Sequence, residues 1–164
     1  MILKKIRLFK KYKIFSFGIL FSDIIKNFTD FLSIKTIKFK KKNIKFYTTN
    51  EMTISRAVLF GKKEKEVYNF IDKNLNSGDI FFDIGANVGV FSIYSSLFKN
   101  AYSIAFEPEY SNLFLLKKNI LLKKLNNKIT TYPLSLSNNN GVNFLHLSSI
   151  ESGAALHSIS KLEI

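Results

Sequence analysis

The chain of 164 residues has no Cys, two Pro, seven Gly and two His. Without Cys there can be no disulfide scaffold, thiol nucleophile, iron–sulfur cluster or Cys-built zinc site. Arg is nearly missing as well: of 25 cationic side chains, only Arg7 and Arg56 are Arg. Arg is the residue of bidentate phosphate and base reading, so a Lys-only surface argues against specific nucleic-acid binding. Long hydrophobic runs are absent too. A membrane span needs about 20 apolar residues, and the stretch from Ile14 to Ile25 is shorter and broken by Asp23. What the chain has in quantity is apolar residues, at 46%, too many for a disordered chain. Its length suffices for one core.

The net charge of +13 is unevenly placed. Residues 1–63 carry 16 Lys and Arg against three acids, whereas residues 64–164 carry nine of each sign. The pattern describes a neutral body with a basic N-terminal segment, although an AT-rich coding sequence would also enrich Lys, Ile, Asn and Phe. We divide the chain accordingly into a basic segment at 1–50 and a domain at 51–164.

Residues 1–13 are basic, and Ile14, Phe17, Leu20, Phe21, Ile24, Phe28 and Phe31 then recur at helical spacing. A helix packed on its own domain accounts for this pattern. A basic amphipathic segment at 1–45 resting on an anionic membrane accounts for it as well. No small-residue cleavage site follows, so a cytoplasmic protein is expected. From Ile34 to Tyr47 the pattern alternates around Lys40-Lys41-Lys42-Asn43, predicting a hairpin with a Lys-rich, solvated turn. A helical pattern returns between Thr53 and Leu75, with Val67, Phe70, Ile71 and Leu75 on one face, and Asn76-Ser77-Gly78 ends it.

The chemistry lies further on. Asp79-Ile80-Phe81-Phe82-Asp83-Ile84 reads as a strand buried on both faces of a parallel sheet. It runs into Gly85-Ala86-Asn87-Val88-Gly89, then a helix, then a second apolar strand ending at Glu107-Pro108-Glu109. Strand, Gly-rich turn, helix and strand form a crossover unit that binds a nucleoside at the carboxyl ends of its strands. The dinucleotide fingerprint wants Gly-x-Gly-x-x-Gly facing a pyrophosphate. Here Asp83 stands where its first Gly would be, and a carboxylate there repels pyrophosphate. It suits the ammonium and sulfonium of S-adenosylmethionine. Gly85 and Gly89 let backbone approach the ligand and let the helix pack close to the strand. Glu107, 24 residues beyond Asp83, is placed to accept hydrogen bonds from ribose hydroxyls.

The runs FFDIGANVGVFSIYSS, AFEPEYSNLFLLKKNILLKKLNN and YPLSLSNNNG resemble the FkbM family of S-adenosylmethionine-dependent methyltransferases, over about residues 64–147. The resemblance implies an α/β fold, a Rossmann-like and mostly parallel methyltransferase sheet with flanking helices. It implies that Asp83, Gly85, Ala86, Asn87 and Gly89 hold the methionine part of the cofactor, and that Glu107 and Pro108 hold its ribose. Where the family shows a Leu-Ser-Asp turn near the adenine, this chain has Leu136-Ser137-Asn138, so Ser137 and Asn138 are the adenine candidates and an amide replaces the acid. Transfer of a methyl group to a sugar or other small hydroxyl-bearing acceptor is the implied reaction. No metal and no general base is assigned.

The family's later strand, ending in an Asp-Val-Glu-Gly-type motif, has no counterpart before Ile164. The expected sheet is therefore incomplete, with an open apolar edge that calls for a partner chain or oligomer. His146 lies in an alternating run and is expected to be a half-buried strand residue; neither it nor His157 has a partner carboxylate at a readable spacing. Two other readings stay open: a dinucleotide binder, which Asp83 disfavours, and a membrane- or nucleic-acid-associated module without catalysis, which only the N-terminal Lys support.

Overall fold

The computed structural model describes residues 32–138 and 140–161, together with 21, 22, 24, 25, 28 and 29. The chain divides into two compact units, Met1–Ile34 and Lys35–Ile164. In the first, positions 21, 22, 24, 25, 28 and 29 are helical, in the stretch where helical spacing predicts a helix; the rest of that prediction, including Ile14, Phe17, Leu20 and Phe31, and the basic residues 1–13, lie outside the described residues.

The second unit opens with a hairpin of β1 (Ile34–Phe39) and β2 (Lys42–Tyr47). Lys40 and Lys41 form its two-residue turn with φ of +43° and +64°, the double positive φ of a tight hairpin. Lys40 is more than a solvated turn residue, because its Nζ pairs with Asp72 Oδ2 at 2.9 Å and reaches the Tyr94 hydroxyl. Alternation works as the pattern predicts: Ile44 and Phe46 on β2 are fully buried.

The helical stretch between Thr53 and Leu75 resolves into two helices, α1 (Glu51–Val58) and α2 (Lys65–Asn74). Asn50 caps α1, accepting from Thr53 N at 2.9 Å while Thr53 Oγ1 accepts from Asn50 N, a reciprocal capping box. The helices part at a turn containing Gly61, whose φ is +73° and whose missing side chain leaves room for the Phe39 ring. Phe39, Phe60, Tyr68 and Tyr94 pack edge-on or tilted at centroid distances of 4.7–6.0 Å. Phe70, expected on the inner face of α2, is 56% exposed.

The central sheet consists of β3 (Ile80–Ile84), β4 (Tyr102–Phe106) and β5 (Ile129–Tyr132), all parallel and adjacent in that order. Parallel neighbours need crossovers. Here they are α3 (Val90–Phe98), between β3 and β4, and α4 (Tyr110–Leu122), between β4 and β5. The α3 face that meets the sheet is built of small residues. Ser92, Ser95 and Ser96 are buried, and Ser95 Oγ lies 2.8 Å from Ser103 Oγ on β4. On α4, Leu113, Leu116 and Ile120 enter the core as their spacing predicts.

β3 is buried on one face only, which corrects the two-sided burial that its apolar run implies. Phe81 and Asp83 face the helices, whereas Ile80, Phe82 and Ile84 are 58%, 56% and 63% exposed. No helix among the described residues covers that side. A last pair of strands, β6 (Asn143–His146) and β7 (Ser158–Lys161), forms an antiparallel ribbon, and the 147–157 connection between them returns over the end of the sheet.

Candidate functional site

The loop after β3 begins at the carboxyl end of the strand. Gly85 N and Ala86 N both donate to Phe106 O, at 2.9 and 3.0 Å, which holds this loop against the end of β4. Gly85 has φ +77°, Asn87 +51° and Gly89 +88°, so the turn uses the left-handed region three times, with two Gly and an Asn, the residues that tolerate it.

Glu107 is the hinge pin between the two loops. It is 4% exposed; one carboxylate oxygen accepts from Asn87 N at 2.7 Å and the other from Glu109 N at 2.9 Å. Glu109 in turn caps α4, accepting from Ser111 N, Ser111 Oγ and Asn112 N at 2.7–2.9 Å. Burial alone would raise the Glu109 pKa, but these hydrogen bonds outweigh it and hold the carboxyl below its usual range.

Between the loops is a cavity of about 500 Å³, lined by Gly85, Ala86, Asn87, Glu107 and Pro108. These are five of the nine residues that the sequence singles out for a cofactor. Asp83 and Gly89 lie beneath the loop and do not line it. Asp83, 5% exposed, takes hydrogen bonds from Ser92 N at 2.9 Å and from the Ser92 hydroxyl. It thereby satisfies one of the orphan donors at the start of α3, where Gly89 offers no side-chain cap. Burial, with the Glu107 charge adding to it, pushes Asp83 up to about 6 against the pull of the Ser92 bonds. Gly89 is needed for packing, since a Cβ there would collide with Leu116 Cδ1. At Gly85 an added Cβ would meet nothing within 4 Å, so this glycine leaves open space beside the loop. Ser137 and Asn138 are exposed and do not line the cavity.

The opposite wall comes from residues to which the sequence reading assigned no role in the site: Leu145 on β6, Ala154 to His157 in the connection, and Ile159 on β7. Asparagines pin that connection down. Asn112, fully buried, accepts from Gly153 N at 2.6 Å and donates to Ala154 O at 3.2 Å. Asn87 Nδ2 donates to the same Ala154 O, Asn50 Nδ2 to Ser152 O and Arg56 Nε to Gly153 O. A further buried amide, Asn119, joins β2 to the loop, accepting from Tyr47 N and donating to Val88 O. His146 is an exposed residue of β6, its Nε2 2.6 Å from Ser160 Oγ, and lies outside the cavity lining.

No family model and no curated protein matches the sequence. Solved structures of similar fold do. TYW2 of Pyrococcus horikoshii, in complex with MeSAdo, matches at 17% identity and a TM-score of 0.43, over 63% of this chain and 36% of that one. The tRNA m1G37 methyltransferase of Methanocaldococcus jannaschii matches at 25% identity and 0.41, over 63% and 30%. A SAM-dependent O-methyltransferase of Thermotoga maritima matches at 13% identity and 0.40, over 62% and 40%. This chain therefore spans well under half the length of the structures it is similar to.

Proposed function

We propose that the 85–89 and 107–109 loops bind S-adenosylmethionine, and that the chain contributes the cofactor half of a methyltransferase of the FkbM type acting on a hydroxyl of a sugar or other small acceptor. The observation that carries this reading is the cavity at the carboxyl ends of two adjacent parallel strands, with an open glycine on one side and a buried carboxylate on the other. Nucleoside ligands of parallel α/β sheets lie at such strand ends.

The residues present fit the cofactor. The backbone from Gly85 to Asn87 leaves space for an amino-acid moiety, and Glu107 offers carboxylate oxygens with lone pairs to spare for ribose hydroxyls. When bound, the sulfonium group supplies an electrophilic methyl carbon. The chain's own part is to orient it, to exclude water and to keep the two loops in register through Glu107. Calorimetry with S-adenosylmethionine tests the reading. Wild-type protein should bind, Gly85→Val should not, and Glu107→Gln should bind at least about tenfold more weakly, one lost charge-assisted hydrogen bond being sufficient for that. A folded wild-type protein that shows no binding in calorimetry at two temperatures would end this reading.

A further inference from the structure

We propose that His157 belongs to the same cavity as a ligand-binding residue, donating a hydrogen bond from Nε2–H to a hydroxyl of a ribose held against Glu107; this rests on the cofactor reading above. His157 lies at the end of the pinned connection, immediately before β7, and lines the cavity opposite Gly85, Asn87, Glu107 and Pro108. The backbone turns at Leu156, whose φ is +64°, to deliver it there.

The ring's hydrogen bonds decide which nitrogen carries the proton. Nδ1 accepts from Ser148 N at 3.2 Å. The Ser148 hydroxyl also lies 3.3 Å from Nδ1, but it donates its own hydrogen to Ala155 O at 2.6 Å, so the backbone N–H, which can only donate, sets Nδ1 as the acceptor. With Nδ1 acting as acceptor, the neutral imidazole carries its hydrogen on Nε2. That Nε2 is buried and has no hydrogen-bond partner among the described residues. Buried donors are almost always satisfied, so one left over on a residue that lines a cavity marks where a ligand acceptor belongs. In this tautomer Nε2 has no lone pair and cannot take a proton from a substrate; it can only donate.

The chemistry of the opposite wall selects the ligand group. Glu107 presents acceptors, while Arg56, Lys63 and Glu64 also line the cavity, so its wall as a whole carries both signs. An anion placed between Glu107 and His157 would still face the Glu107 carboxylate, and a cation there has no use for an N–H donor. A hydroxyl can donate to Glu107 while accepting from His157, and a ribose offers two of them.

Calorimetry with S-adenosylhomocysteine and its 2′-deoxy and 3′-deoxy analogues separates this proposal from the one it rests on. Wild-type protein should prefer the ribo form over one deoxy form by about a hundredfold, since that hydroxyl makes two hydrogen bonds, to Glu107 and from His157. His157→Phe should cut that ratio by about tenfold, leaving the Glu107 share, and His157→Gln, which keeps an N–H donor, should restore part of it. A ratio unchanged in His157→Phe overturns the role of His157 and leaves the cofactor reading standing. Wild-type protein that binds none of the three overturns both. A second readout needs no variant. In the long-range 1H–15N spectrum of the wild-type imidazoles, His157 should show the Nε2–H tautomer and move downfield on addition of S-adenosylhomocysteine; an Nδ1–H tautomer, or a signal that stays put in a saturated complex, refutes the proposal.

Discussion

Gly85 and Gly89 stand four residues apart in one loop, both at positive φ, yet their missing side chains serve different ends. A Cβ at Gly89 would strike Leu116 in the core, while one at Gly85 would enter open space at the cavity. Each replacement by Ala carries the left-handed penalty of about 1–2 kcal/mol. Gly89→Ala adds overpacking of about 1–3 kcal/mol. Urea unfolding should therefore rank Gly89→Ala well below Gly85→Ala in stability, while calorimetry with S-adenosylmethionine should show the larger loss of affinity per folded molecule in Gly85→Ala. Asp83 yields a second prediction. Its folded pKa, about 6, is above the ordinary value of 3.8, so the folded state holds the extra proton. Stability should then fall as pH rises from about 4 to about 6 and level off above, by at most about 3 kcal/mol. Asp83→Asn should remove that slope from urea titrations between pH 4 and pH 7. Glu109 acts in the opposite sense at lower pH, its stabilisation being lost as pH falls below 4.5, so the comparison is between wild type and variant at each pH.

At the scale of elements, local period explains what was legible. The hairpin, the strand–turn–helix–strand unit and the core face of α4 follow from alternation, helical spacing and turn residues within a few positions of one another. The split of the Thr53–Leu75 stretch hangs on Gly61, whose role depends on a Phe39 ring arriving from another element. The place of the 147–157 connection at the cavity was not legible, for a related reason. Its anchors are amides 41, 67 and 102 residues away in sequence, and such hydrogen bonds leave no periodic trace. The far wall of the cavity, His157 included, depends on them. Asn112→Ala removes the acceptor for Gly153 N and a donor to Ala154 O. Hydrogen exchange should then show the Gly153 amide unprotected while the β3–β4 ladder keeps its protection, and trypsin-independent cleavage of the connection, by a protease such as elastase at Ala154–Ala155, should accelerate.

At the scale of the molecule, the described residues include no helix long and apolar enough to cross a membrane, yet they leave a broad apolar surface. Phe82, Phe106 and Tyr132 stack across all three strands of the sheet, with centroids 6.4 and 5.4 Å apart and ring planes 9° and 19° from parallel. Ile80 and Ile84 flank them, each more than half exposed. The apolar run of β3 reads as a strand covered on both sides because apolar residues at successive positions suit two buried faces, whereas the packing of the helices on only one of them is set by distant segments. An apolar face that no described element covers favours self-association. Phe82→Thr with Ile84→Thr keeps β propensity while making the face polar. Dye binding and light scattering should fall in the double variant, and the urea midpoint should shift little, because side chains already more than half in water have little burial to lose. A loss of about 3–5 kcal/mol, the value for truncating a fully buried aromatic, would instead mean that this face is covered in solution.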